Sequence, residues 1–242
     1  MYPPGAQRHP AVLSARPDRS PASVPLPGQR LLGLESVRDT LLYVPPGLEA
    51  SVPAPLILLL HGAGGDAAGG LGLLSAFADA HKIIMAAPSS QGPTWDGIRG
   101  DFGPDVQLID QALERIFQLA PVDLNRTAVG GFSDGASYAL GLGLANGNLF
   151  SSIIAFSPGF IPPATRVGQP RVFLSHGDSD SVLPIDRTSR RLVPLLRRNG
   201  YDVTYREFHG SHTVPAPIAQ EAITWLGWQA GAGFEAGDLD VG

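Results

Sequence analysis

The sequence predicts an α/β fold, with one mainly parallel sheet covered by helices on both faces. Three observations point there. Short apolar runs alternate with amphipathic stretches along most of the chain. The run at 55–60, Pro-Leu-Ile-Leu-Leu-Leu, is apolar on both faces, as a strand covered on both sides has to be. A single domain of 242 residues also buries enough surface to support such a layered core.

Taken in order, residues 1–28 form a polar arm with prolines at 3, 4, 10, 17, 21, 25 and 27, expected to be extended with at most one short strand. Residues 30–34 and 39–44 read as two short strands, ended by Pro45-Pro46-Gly47, which neither helix nor ladder tolerates well. The buried strand at 55–60 stops at His61 and a glycine cluster, a helix follows at 70–80, and a buried strand at 82–87. Val106, Ile109, Leu113, Ile116 and Phe117 recur at helical spacing and place a helix over 106–119. Strands are then expected at 126–132, 152–156, 171–176 and 203–208, with helices at 133–144, 185–198 and 216–228. The folded domain thus spans 29–230, and the glycine-rich, acidic tail at 231–242 is expected to fray.

Composition excludes several function classes. The net charge of −5, with no dense basic cluster, argues against nucleic acid, since phosphate binding needs a basic face. The chain has no cysteine, so disulfides and a thiolate nucleophile are both out. Residues 1–27 lack the apolar core of about seven residues that a secretory signal needs. No stretch approaches the roughly 18 apolar residues of a membrane-spanning helix. The expectation is a soluble, cytoplasmic protein without integral membrane association.

The chemistry is concentrated in Gly131-Phe132-Ser133-Asp134-Gly135. A strand precedes this Gly-x-Ser-x-Gly string and a helix rich in small residues follows. A serine forced into so sharp a turn needs small neighbours, so that helix and strand can approach. It also sits at a helix N-terminus, where partial positive charge favours a developing anion. The plainer reading, Ser133 as an ordinary helix cap, leaves the two glycines unexplained.

A serine hydroxyl needs a base, and the base needs an orienting carboxylate. For a nucleophile on this kind of turn the chain order is Ser, Asp or Glu, then His. Three histidines follow Ser133: His176, His209 and His212. His212 lies in the loop Gly210-Ser211-His212-Thr213 and is the expected base, whereas His209 directly continues a strand. The acid is expected in His176-Gly177-Asp178-Ser179-Asp180. Asp180 is preferred over Asp178, which lies near the strand end and suits a turn cap, as Asp186 suits a helix cap.

The oxyanion of a tetrahedral intermediate needs two backbone donors. One is the amide of Asp134. The other is assigned to Ala63 in His61-Gly62-Ala63-Gly64-Gly65-Asp66, where small residues, Gly62 among them, let the backbone meet a substrate. A nucleotide-phosphate loop is excluded because neither glycine fingerprint occurs. His61 is expected to hold this loop in shape. Trp95 either walls the acyl pocket or belongs to the core.

The segments 60–66, 131–137, 176–180 and 210–212 together resemble the phospholipase/carboxylesterase family. They are also similar to its neighbours, the small bacterial feruloyl-esterase-like and polyhydroxybutyrate-depolymerase-like hydrolases. The resemblance covers about residues 30 to 229 and implies an α/β-hydrolase fold and a cofactor-free esterase using Ser133, Asp180 and His212. Asp134 stands where many carboxylesterases have glutamine. Dienelactone hydrolases share the architecture but use cysteine. Many hydrolases of this fold insert a lid between the sixth and seventh strands, and here 156–171 is too short for one. The resemblance therefore implies no lid domain and an open groove for short or medium acyl chains. Thioesters, acylated proteins, polyesters and feruloyl esters fit the same three residues. Peptidase or acyl-transfer chemistry, or a binding protein on an inactive scaffold, are the readings from other classes.

Overall fold

The strand at 55–60 is the axis of the molecule. It extends to Ala54–Leu60 (β3), and every one of its seven residues is buried. Its side chains alternate between two cores: Leu56, Leu58 and Leu60 face one, Ile57 and Leu59 the other. That is the physical meaning of an apolar run without alternation, because each pleat face meets its own layer of helices. The computed structural model describes residues 11–17, 21, 23–34, 36 and 38–228.

Around β3, the strands Gly28–Leu31 (β1), Leu41–Val44 (β2), Ile84–Ala87 (β4), Val122–Phe132 (β5), Ser152–Phe156 (β6), Arg171–Gly177 (β7) and Val203–Phe208 (β8) complete one sheet. Its order is β1-β2-β4-β3-β5-β6-β7-β8. All pairings from β4 to β8 are parallel, and at one edge β2 runs against its two neighbours, β1 and β4. One face packs against Pro104–Leu119 (α4), Asp134–Ala145 (α5) and Ser189–Arg198 (α6), through residues such as Ile109, Leu140 and Leu196. The other packs against Ala67–Leu71 (α1), Ala78–His81 (α2) and Ala216–Leu226 (α7), through Leu71, Ala78 and Ile223.

Several elements differ from expectation. The first strand is shifted to Gly28–Leu31, because its pairing with β2 ends at Leu31↔Leu41 and Gly33 turns the chain at φ 77°. The helix expected over 70–80 is broken into α1, a 3-10 turn at Ser75–Phe77 and α2, since Gly69, Gly70 and Gly72 supply little helix propensity. A short helix at Asp96–Arg99 (α3) was not anticipated, and β5 begins earlier, where Val122 pairs with Ala54 beyond a register shift. The helix expected from 185 starts as a 3-10 turn, Ile185–Arg187, before α6.

Residues 11–15 of the proline-rich arm are packed against the domain. Ala11, Leu13 and Ala15 are buried. Asn146 accepts the Leu13 amide at 2.8 Å and donates to the Ala11 carbonyl at 2.6 Å, while Asp110 accepts the amides of Ser14 and Ala15, both at 2.8 Å. Residues 1–10 and the tail at 231–242 lie outside the described residues. The connection at 157–170 contains neither helix nor strand, so among the described residues no lid domain is inserted between β6 and β7.

Candidate active site

Ser133 sits between β5 and α5 with φ 58° and ψ −120°, a left-handed conformation that costs any residue with a Cβ. Close packing holds it there. A Cβ on Gly135 would lie 2.2 Å from the Leu60 carbonyl oxygen, and one on Gly131 would lie 2.5 Å from the backbone of Gly135. The two glycines of the string are the price of passing a helix start this close to two strands. The Ser133 amide donates to the Phe156 carbonyl at 2.9 Å, and only 9% of the residue is exposed.

The structure brings Asp180 and His212 to this serine. His212 Nε2 lies 2.9 Å from Ser133 Oγ, and His212 Nδ1 lies 2.6 Å from Asp180 Oδ2. The imidazole is fixed on its face by the Phe132 ring, centroids 4.6 Å apart. The loops after β7 and β8 are sewn together: the Ser179 amide donates to the Gly210 carbonyl at 3.0 Å, and Asp178 Oδ2 meets His209 Nδ1 at 2.5 Å. Asp178 and His209, the alternatives within each motif, thus form their own exposed pair and do not reach the serine.

The Asp180 side chain is fully buried. Burial pushes its carboxyl up, yet the Leu183 amide, the His212 bond and charge, and the Val182 amide outweigh it and hold it below the usual carboxylate range. Oδ1 accepts the Val182 and Leu183 amides at 2.9 and 2.8 Å.

The loop after β3 reaches Ser133: a Cβ on Gly62 would lie 3.4 Å from Ser133 Cβ. Ala63, next along, is exposed, and Asp134 opens α5, so its amide has no acceptor within that helix. His61 shapes the loop. Its Nε2 accepts the Ser90 amide at 3.0 Å, so the proton is on Nδ1, which donates to the Gly62 carbonyl at 2.7 Å. Burial lowers its pKa, against the pull of the Gly62 bond.

Trp95 does not wall the pocket. It is 0% exposed, donates its indole N–H to the His61 carbonyl at 2.8 Å, and stacks between His61 and Tyr138 with centroids 4.8 and 5.2 Å away. A large ring beneath a glycine-rich loop fills the volume its neighbours lack, so this tryptophan supports the loop from the core side.

Two partners carried no sequence signal. Arg38, between β1 and β2, donates to the carbonyls of Gly65, Ser90 and Gly92 at 2.7, 2.8 and 2.9 Å. Thr94 Oγ1 donates to Asp134 Oδ2 at 2.6 Å, joining the loop after β4 to the turn at Ser133. Both are long-range contacts to backbone or to a neighbour's side chain, which leave no local spacing to read. Among the described residues no group of three or more His, Asp or Glu is placed to hold a metal ion. No helix there is long and apolar enough to cross a membrane.

Residues 96–227, more than half of the chain, match the phospholipase/carboxylesterase family. The chain belongs to that family. All three of Ser133, Asp180 and His212 fall inside the matched span, while the loop carrying Ala63 precedes it. Among relatives of this carboxylesterase family member, a probable feruloyl esterase C of Aspergillus oryzae is 29% identical over 193 residues, 73% of this chain and 68% of that protein. Feruloyl esterase C of Emericella nidulans is 30% identical over 176 residues, 69% of this chain and 64% of that protein. The crystal structure of esterase PE8 superposes with a TM-score of 0.61 at 26% identity, covering 72% of this chain and 95% of that one. A phospholipase/carboxylesterase from Dyadobacter fermentans shares the fold at 22% identity and TM-score 0.61, covering 79% of this chain and 97% of that one.

Proposed function

We propose that this chain is a serine carboxylesterase that hydrolyses carboxylic esters through an acyl-enzyme. The observation that carries the reading is one hydrogen-bonded row, Ser133 Oγ to His212 Nε2 at 2.9 Å and His212 Nδ1 to Asp180 Oδ2 at 2.6 Å. His212 takes the Ser133 proton as Oγ attacks the ester carbonyl, and Asp180 stabilises the imidazolium formed. The amides of Ala63 and Asp134 receive the oxyanion. His212 then returns the proton to the departing alcohol, and a water activated by the same imidazole releases the acid and restores the serine. Esters suit this site better than amides because alkoxides leave with little help.

The irregular 157–170 connection leaves the groove open, which favours short or medium acyl chains and removes any need for a lipid interface. Hydroxycinnamoyl esters are the second substrate reading, supported by the feruloyl esterase names of two relatives. Phe160 and Val182, 40% and 64% exposed, stand on the loops after β6 and β7 at the same sheet edge and offer apolar surface to such an acyl group.

The test is hydrolysis of p-nitrophenyl acetate, p-nitrophenyl butyrate and methyl ferulate by wild type and Ser133→Ala. The variant is expected to lose on the order of 10⁴-fold or more in kcat. A fluorophosphonate probe should label wild type alone. Equal rates in the two proteins would discard the assignment.

A further inference from the structure

Asp180 is held from both ends, and one of its holders has no part in the mechanism above. Oδ1 takes two backbone amides, but Oδ2 is shared by two imidazoles. His212 Nδ1 lies at 2.6 Å and His176 Nε2 at 3.1 Å. The row therefore continues past the acid: His176 Nδ1 lies 2.6 Å from Ser189 Oγ. A single carboxylate has a serine–histidine pair on each side.

The proton positions on the second pair follow from its partners. His176 Nε2 faces two acceptors, the Leu183 carbonyl at 2.8 Å and Asp180 Oδ2, so it carries the hydrogen. Nδ1 then accepts from the Ser189 hydroxyl. Burial also disfavours the charged ring, so His176 is neutral. Ser189 and His176 are both 0% exposed, which rules out a second nucleophile: no substrate reaches that hydroxyl.

We propose that His176, set by Ser189, is a positioning residue that fixes the plane of the Asp180 carboxylate and divides Oδ2 between two imidazoles. This rests on the reading of Ser133, Asp180 and His212 as the catalytic row. A carboxylate anchored only through Oδ1 is free to pivot and carry its other oxygen away from His212. His176 Nε2, which donates to the Leu183 carbonyl at 2.8 Å, stands 3.1 Å from that oxygen and limits the pivot, so His212 keeps both its tautomer and its aim at Ser133. A histidine that merely closed the turn to Leu183 would need no second acceptor, and the contact with Oδ2 is what separates the two roles.

The test compares wild type, His176→Leu, His176→Gln and Ser189→Ala with p-nitrophenyl butyrate, with Ser133→Ala in parallel. His176→Leu should lower kcat about 10- to 100-fold with KM changed less than about 2-fold, since substrate touches neither side chain. His176→Gln restores an N–H donor toward Oδ2 and should recover most of the loss. A folded His176→Leu protein with wild-type kcat, or a Gln variant no better than Leu, overturns the proposal. Should the leucine variant not fold, Ser189→Ala decides: a lowered kcat at unchanged KM supports the relay, and a wild-type kcat overturns it. Ester turnover by Ser133→Ala at the wild-type rate would instead bring down the underlying assignment.

Discussion

Ser133 holds its position against its own backbone preference. Its φ of 58° is the left-handed value that a residue with a Cβ adopts at a cost of about 1–3 kcal/mol. Replacing it by glycine should therefore raise stability by about 1 kcal/mol over Ser133→Ala, which keeps the Cβ, and neither variant is expected to turn over ester. Urea denaturation of the pair measures this, and equal midpoints would mean the turn is not strained. The neighbouring glycines make the complementary case. Gly135→Ala sets a Cβ 2.2 Å from the Leu60 carbonyl oxygen and 2.4 Å from that of His61, both backbone atoms at the end of β3. That variant should lose about 3 kcal/mol or more, or fail to accumulate folded. Gly64→Ala, at φ 71° but with open space around the new Cβ, should cost only about 1–2 kcal/mol. Similar losses in the two, read from the same denaturation curves, would contradict the close-approach argument. These residues were legible in the sequence because their constraint is local. Gly131, Ser133 and Gly135 must be adjacent to make the turn, so their spacing survives as a string.

At the scale of elements, the parts of the site that escaped the sequence are those set by distant partners. The loop at 61–66 was visible as glycines after a buried strand, but what tethers it was not. Arg38 comes from the edge of the sheet and caps three carbonyls on two loops. Arg38→Met keeps the stem and removes the donors. Each carbonyl left without a partner costs about 1–3 kcal/mol where water cannot replace the guanidinium. The loosened loop should also lower kcat about 10-fold with little change in KM, because the oxyanion forms only in the transition state. Steady-state kinetics on p-nitrophenyl butyrate beside a thermal melt checks both, and an unchanged kcat would free Arg38 from any role in the site. Element boundaries failed for a related reason. Residues 70–80 read as one helix, yet Gly69, Gly70 and Gly72 at its start let the chain break into two short helices and a 3-10 turn. Trp95 shows the opposite difficulty, since a tryptophan in a loop after a strand reads equally as pocket or core. Only its contacts with His61 and Tyr138 decide.

Across the whole molecule, the carboxyl edge of the sheet is bracketed by two buried neutral histidines, His61 at the end of β3 and His176 near the end of β7. Each spends both ring nitrogens on bonds that shape a loop of the site. Burial lowers the pKa of both from the ordinary value of 6.5. The unfolded chain therefore takes up protons near 6.5 that the folded form refuses, and acidification favours unfolding. Their contribution to stability is complete above that value and is lost as the pH falls through it toward the lowered folded values. Carboxylates act further down, among them Asp178 and Glu207, which their hydrogen bonds hold below the usual range. Asp180, held below its usual range, adds a loss of the same sign at lower pH, whereas Asp105, raised by burial, protonates first in the fold and opposes it. Between about pH 7.5 and 5.5 the melting temperature should thus fall, with both imidazoles contributing in the same direction. His176→Gln, which cannot titrate, should show a visibly shallower slope over the same window. A melting temperature flat across that interval in wild type would mean the two rings accept protons in place, and that the loops they shape do not depend on their neutrality.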